Sequence, residues 1–320
     1  MREFGFELRL CAHLEAAGGV VARQLGASVG GHHRVMDVVR VLPGPEFDER
    51  VALSPDTVPP AAIEAEVGLT WTPVTAAFEG PPARARALAE RAVEAGFLER
   101  ERRDGRDVVR QAARYPDWFS RLVGVENKPD IDDDTLPPQL RRDVALGLFD
   151  AVVVATESYV TRAHLNRLPD PVGVWRVDFD RADPVEVVRE PASLPSGEPG
   201  LQVVAEHAGR TEVEPVGADE KARQRRRVAE RAYGKGWRPA FPACARAEPR
   251  EARGASLPYC PWKGRLVDAG ADCGPDCGGH DPAEPPDVDS AAERAANTPW
   301  EPDPDGRARR QAGLGEWARE

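Results

Sequence analysis

The stretch Gly124-Val125-Glu126-Asn127-Lys128-Pro129-Asp130 decides how the rest of the chain reads. An apolar run from Leu122 to Val125 leads into it with the composition of a buried strand, and Pro129-Asp130 ends that strand. Side chains alternate across a strand, so Glu126 and Lys128 share a face with Gly124, whose missing side chain is expected to leave open space beside them. A carboxylate and an ammonium then meet at the end of a core strand. Burying both is costly unless they pair or bind something: a structural ion pair satisfies that condition, and so does a metal ion beside a phosphate.

The cation in this motif is unusual for its chain. Of 43 basic residues only Lys128, Lys221, Lys235 and Lys263 are lysines, and the other 39 are arginines. Arginine was the default cation, so Lys128 points to a need for a compact amine in place of a planar fork. The net charge of -11 argues against indiscriminate nucleic-acid binding in dilute salt. An acidic, lysine-poor surface also suits a cytoplasm of concentrated salt, where local arginine clusters would have to do any gripping of DNA. The 320 residues admit one large domain or two to three smaller ones. With no apolar run of membrane-spanning length and no leader at Met1, a soluble, cytoplasmic protein without a membrane partner is expected.

Upstream of the motif, residues 3–17 read as a helix with Phe4, Leu8, Cys11 and Leu14 as its apolar stripe, ended by Gly18-Gly19. Glu7 borders that stripe, either facing inward or partly solvated. Val20 to Leu25 and Arg34 to Leu42 have strand composition and are separated by Gly30-Gly31, as in a hairpin. Asp37 interrupts the second strand; a buried aspartate needs a partner or a cation, whereas an exposed face would leave it solvated.

From Pro43 to about Tyr115 the texture changes to prolines and short helices, near 60–67 and 73–78, and a longer helix from Pro81-Pro82 to Gly96. Leu88, Ala92, Val93 and Phe97 are expected inward and Arg84, Arg86 and Arg91 outward. The segment from Leu98 to Arg110, with Asp104-Gly105 at its centre, reads as a two-stranded hairpin. Helices followed by a hairpin resemble a winged helix, with Arg84, Arg86, Arg100, Arg102, Arg103 and Arg106 as phosphate contacts. Winged helices also serve as protein-docking modules, and Glu99 and Glu101 dilute the positive face.

Downstream, Pro137-Pro138 starts a helix that runs to Asp150 and carries Gln139 and Asp143 one turn apart. Residues 151–155 are a second buried strand, followed by Thr156, Glu157 and Ser158. A basic helix near 220–233 reads as a solvated face or as a backbone contact to nucleic acid. Cys244, Cys260, Cys273 and Cys277 follow, with fifteen, twelve and three residues between them. Few apolar residues surround them, so they read as zinc or iron-sulfur ligands or as incidental thiols. Beyond Asp281 the proline and acid content predicts a disordered tail.

The order helix with Glu7, strand pair with Asp37, strand with Glu126-Asn127-Lys128, helix with Gln139 and apolar strand resembles the core of the PD-(D/E)xK nuclease superfamily, and more closely its RecB-like branch. Asp143 departs from that pattern, which usually has a tyrosine four residues after the glutamine. The resemblance implies an α/β fold: a restriction-endonuclease-like mixed sheet flanked by helices, with an inserted winged-helix-like subdomain and a Cys-containing C-terminal segment. The implied division is a nuclease-like core at 1–45 and 116–190, the insert at 46–115, strands and the basic helix at 191–235, a Cys-containing metal segment at 236–280 and the acidic tail at 281–320. The chain as a whole is also similar to a haloarchaeal family of unknown function.

The resemblance implies a hydrolase that cuts DNA. Asp37, Glu126 and Glu7 would hold magnesium or manganese through hard oxygen ligands, Lys128 would orient water or steady charge on the phosphate, and Gln139 would contact substrate or Lys128. Some relatives in that branch carry a four-cysteine 4Fe-4S cluster near the C-terminus. Two other functions fit the sequence: a non-catalytic DNA-binding or regulatory protein on the same scaffold, and a protein built around a cysteine-bound metal.

Overall fold

The computed structural model describes residues 3–29, 34–65 and 67–304, which form two compact units. The first holds the residues up to Leu42 together with 121–232 and 236–298; the second holds 43–120, 233–235 and the described residues after 298.

The first unit is built on a six-stranded mixed sheet in the order Val20–Gly26, Val35–Pro43, Phe119–Asn127, Ala151–Thr156, Gly173–Val177 and Val185–Arg189. Val20–Gly26 and Val35–Pro43 pair antiparallel, from Val20 opposite Val41 to Gly26 opposite Val35. Their expected Gly30-Gly31 turn lies outside the described residues. Phe119–Asn127, Ala151–Thr156 and Gly173–Val177 run parallel, and Val185–Arg189 closes the edge antiparallel. Ala151–Thr156 is buried at every position, as a strand covered on both faces must be, and its apolar run carries no alternation.

Helices flank the sheet. The N-terminal one, Glu3–Ala16, packs Phe6, Leu10 and Leu14 with Val21, Val125 and Val153. Its buried surface is wider than the stripe expected from sequence: Phe6, Leu10 and Ala12 are buried as well as Leu8 and Cys11, while Phe4 is half-buried. The reason is a second cover, since Trp237, Ala255, Leu257 and Leu266 from the C-terminal part belong to the same cluster. The open space expected beside Gly124 does not exist. A Cβ there would stand 2.8 Å from Met36 Cε and 3.0 Å from Phe149 Cδ2, so close packing has already used the room.

The Leu136–Leu146 helix ends at Gly147, whose φ of 59° is the left-handed conformation of a helix stop and whose N–H donates to the Asp143 carbonyl at 2.9 Å. Its last carbonyls gain a further donor from Lys221, fully buried in the Ala218–Lys235 helix. Lys221 Nζ donates to Pro195 O at 2.8 Å and Leu146 O at 3.3 Å.

The C-terminal part of this unit contains a three-stranded sheet, Glu248–Ala252, Ala255–Cys260 and Arg265–Leu266. Beyond it the chain forms the helix Ser290–Asn297 where disorder was expected. Asp289 caps that helix by accepting from Ala292 N at 2.9 Å, and Glu293 accepts from Ser256 N at 3.0 Å. Two side-chain anchors thus order an acidic, alanine-rich stretch that composition alone assigns to a tail. Residues 305–320 of that tail lie outside the described residues.

The second unit has the helices Phe47–Val51, Pro60–Glu64, Val74–Ala77 and Pro82–Glu94, and a sheet in which Arg106–Gln111 lies between Thr72–Pro73 and Leu98–Arg103. Asp104 and Gly105 close the long hairpin with φ of 48° and 77°, the two positive values a primed two-residue turn requires. The Pro82–Glu94 helix turns Ala85, Ala89 and Ala92 into the core, while Leu88 and Val93, expected inward, flank that stripe half-buried. Among the described residues no helix is long and apolar enough to cross a membrane.

Candidate functional site

The parallel strand Phe119–Asn127 delivers Glu126 and Asn127 to its carboxyl end, the end at which open α/β sheets offer a crevice to ligands. Asp37 arrives from the neighbouring Val35–Pro43 strand and accepts from Asn127 N at 2.9 Å through Oδ2. Glu7 reaches the same region from the N-terminal helix and is only 3% exposed, which settles it as an inward residue. Gln24 Nε2 links the two acids, donating to Glu7 Oε2 at 3.1 Å and to Asp37 Oδ1 at 3.4 Å. It does so from a left-handed backbone, φ 53°, in the middle of a strand. That conformation is disfavoured for a side chain of this size, and such strain concentrates at functional sites.

The ion pairs differ from those the sequence suggested. Glu126 and Lys128 do not pair with each other: Glu126 Oε1 is bound by Arg34 Nη2, while Lys128 Nζ stands 3.3 Å from Glu3 Oε1 and 3.6 Å from Asp133 Oδ2. Arg34 also grips Asp143 with both prongs, Nε to Oδ1 at 2.9 Å and Nη2 to Oδ2 at 2.6 Å. Asp143, which departs from the expected tyrosine, is thus buried in the site. Arg23 Nε binds Glu7 Oε1 and its guanidinium lies 4.9 Å from the Phe4 ring centre. Gln139 shares the Asp143 helix, but its Oε1 is buried with no hydrogen-bond partner among the described residues. Asn127 Oδ1 is likewise buried and unpartnered there, although its Nδ2 donates to Glu3 O at 3.2 Å.

Charge is unevenly matched. Burial, then the nearby Asp37 carboxylate, push the Glu126 carboxyl up to about 8 in spite of Arg34. Burial likewise raises Glu7 and Asp143 although each has an arginine partner. For Lys128, burial works against the charge, and Glu3, Asp37 and Asp133 more than offset it, holding the ammonium above its ordinary range. Asp37 acts on Glu7, Glu126, Asp143 and Lys128 alike, so it lies at the electrostatic centre of the group. Glu7, Asp37, Glu126 and Asp143 thus meet Arg23, Arg34 and Lys128, with Arg142 also acting on Asp143.

The raised proton affinity of Glu7, Glu126 and Asp143, the hard oxygen donors and the orphaned Asn127 Oδ1 fit a divalent cation held by Asp37 and Glu126. A ready ligand set is not assembled: among the described residues no three His, Cys, Asp or Glu side chains are grouped to hold a metal ion. The arginines on Glu126 and Glu7 occupy that role electrostatically. The Pro129 loop beyond Lys128 is anchored by Thr156 Oγ1 and Ser158 N, which donate to Pro129 O at 3.1 Å each.

Sequence reasoning missed Arg23, Gln24, Arg34 and Glu3, and gave Asp143 no role in the site although its position one turn after Gln139 was a usable signal.

The other candidate residues lie elsewhere. In the second unit Arg84, Arg86, Arg100, Arg102, Arg103 and Arg106 are all exposed. Arg100 pairs with Asp107 at 2.9 Å, and Arg103 pairs with Glu101 at 3.1 Å and stacks 4.6 Å from the Trp71 ring centre. In the C-terminal part of the first unit Cys244 and Cys260 are buried, Cys273 and Cys277 half-buried, and all four are free thiols. Burial raises Cys273, and the neighbouring Cys260 and Cys244 add to that shift. Cys244 Sγ accepts from Asp281 N at 3.5 Å.

Over residues 20–282 the chain matches the model of a family of unknown function (DUF5787), and it belongs to that family. No curated protein and no solved structure matches it.

Proposed function

We propose that this member of a family of unknown function is a metal-dependent nuclease that hydrolyses DNA phosphodiester bonds, on a restriction-endonuclease-like core of the PD-(D/E)xK type. The supporting observation is the gathering of Asp37, Glu126, Glu7 and Lys128 about the carboxyl end of one interior strand, where burial and the neighbouring acid raise the proton affinity of Glu126 and Glu7 in spite of their arginine partners. Asp37 and Glu126 would hold magnesium or manganese, which when bound supplies Lewis-acid polarisation and a more acidic water.

This chain's own residues do the rest. The Lys128 ammonium, kept charged by Glu3, Asp37 and Asp133, offers a point charge to a phosphate oxygen. Gln24 sets the spacing of Glu7 and Asp37. Gln139 Oε1 offers an acceptor to substrate or to a repositioned Lys128. In the second unit, helices followed by the Leu98–Gln111 hairpin suit a winged-helix-like DNA contact through the exposed arginines.

Purified protein should cleave DNA only with magnesium or manganese, and Lys128→Ala should lower cleavage by about 100-fold or more without changing the melting temperature appreciably. Undiminished cleavage by that variant overturns the assignment of Lys128. One observation favours a second reading, a non-catalytic DNA-binding or regulatory scaffold: Glu126 and Glu7 are each held by an arginine. DNA binding without cleavage in every divalent metal would select it.

A further inference from the structure

The Arg34 guanidinium sits where two buried carboxylates face each other. It binds Asp143 through Nε and Nη2 at 2.9 and 2.6 Å, binds Glu126 Oε1 through the same Nη2, and donates from Nη1 to Val35 O at 2.6 Å. Both carboxylate side chains are 2% exposed and that of Arg34 is 14% exposed, so water can replace little of this contact. A fork-shaped cation in low dielectric is a strong partner for paired carboxylates. Its position explains a discrepancy: these buried acids call for a cation, yet among the described residues no three His, Cys, Asp or Glu side chains are grouped to hold a metal ion. A single Glu126 carboxylate has to choose between the guanidinium and a metal ion.

We propose that Arg34 is the resident counter-ion of this site, that a divalent cation gains Glu126 only by displacing it, and that Arg34 therefore sets the metal affinity. This rests on the reading of Asp37 and Glu126 as metal ligands. The reason for Asp143 follows: it keeps Arg34 within reach when Glu126 is released, so the guanidinium stays buried with a partner and never becomes an isolated charge. Arg34 acts on the ligand Glu126 and is thus a positioning residue.

The test is manganese binding to the full-length protein, by electron paramagnetic resonance and calorimetry, with thermal unfolding in chelator and in excess metal. Arg34→Gln should bind manganese at least tenfold tighter than the wild type, about 1.4 kcal/mol. It should also melt lower than the wild type in chelator and gain more from added metal, because the acids it leaves uncompensated need a cation. Unchanged or weaker manganese binding by the folded variant overturns the proposal. Should Arg34→Gln not fold, Arg34→Lys keeps the charge and loses the two-pronged grip on Asp143; it should bind manganese several-fold tighter than wild type, and equal binding again overturns the proposal.

DNA cleavage is scored separately. A wild type that cuts DNA while its Arg34 variants bind metal no better leaves the nuclease reading standing and removes this one. Tighter metal binding by the variants without cleavage in any metal does the reverse.

Discussion

A carboxyl that titrates near 8 when folded and near 4.5 in the unfolded chain holds its proton more firmly in the native state, and Glu126 is such a group. The folded protein therefore binds the extra proton between those values, so metal-free stability falls as pH rises from about 4.5 to about 8 and then levels off, with a slope of at most about 1.4 kcal/mol per pH unit. Glu126→Gln removes this dependence. Its stability relative to wild type should be indistinguishable near pH 4 and should climb through that window, as read by urea unfolding in chelator at a series of pH values. A constant difference at all pH would show that burial of Glu126 is not the cause. Gly124→Ala tests the neighbouring packing: the added methyl meets Met36 and Phe149 at 2.8 and 3.0 Å, and about 1–3 kcal/mol should be lost in the same unfolding experiment. At this scale the acids were legible in the sequence, because an aspartate in an apolar strand and a Glu-x-Lys at a strand end are anomalies. Their arginine partners were not, since with 39 arginines a guanidinium at residue 23 or 34 stands out from nothing.

Among elements, the Leu136–Leu146 helix matters most to the site because it aims Asp143, and its register depends on how it stops. Gly147 adopts φ 59°, and a Cβ there would also approach Lys221 Nζ to 3.4 Å. Gly147→Ala should cost about 1–2 kcal/mol by thermal unfolding, and it should weaken the Arg34–Asp143 contact enough to shift manganese affinity in the direction of Arg34→Gln. The strands and helices of the sheet were readable from apolar runs and from proline and glycine punctuation. The strained Gln24 was not, since nothing in a run of Val, Ala, Arg and Gln signals a positive φ. The capped helix Ser290–Asn297 was lost for another reason: composition averages over a segment, whereas order there depends on Asp289 and Glu293 individually.

For the molecule as a whole, a net charge of -11 means self-repulsion that salt relieves. Exposed ion pairs such as Arg103–Glu101 are worth little and lose little when screened. The melting temperature should therefore rise when potassium chloride is increased from about 0.1 M to about 1 M, over which the screening length falls from about 10 to about 3 Å. A flat or falling profile would show that ion pairing outweighs repulsion. If the second unit grips DNA backbone, each of Arg102→Ala and Arg106→Ala should lower the slope of log affinity against log salt by about 1. The change of texture after Pro43 was readable in the sequence, whereas the grouping of 233–235 and the described residues after 298 with 43–120 was not, because it joins stretches far apart in sequence. The sequestered amine of Lys221 gives this large-scale behaviour a chemical tally. In a chain with only four lysines, an acylating reagent should modify the exposed Lys235 fastest and the half-buried Lys128 and Lys263 more slowly, and should reach the fourth only in molecules that have opened the joint between residues 146, 195 and 221. Counting acyl groups by mass would thus register breathing of the protein one molecule at a time.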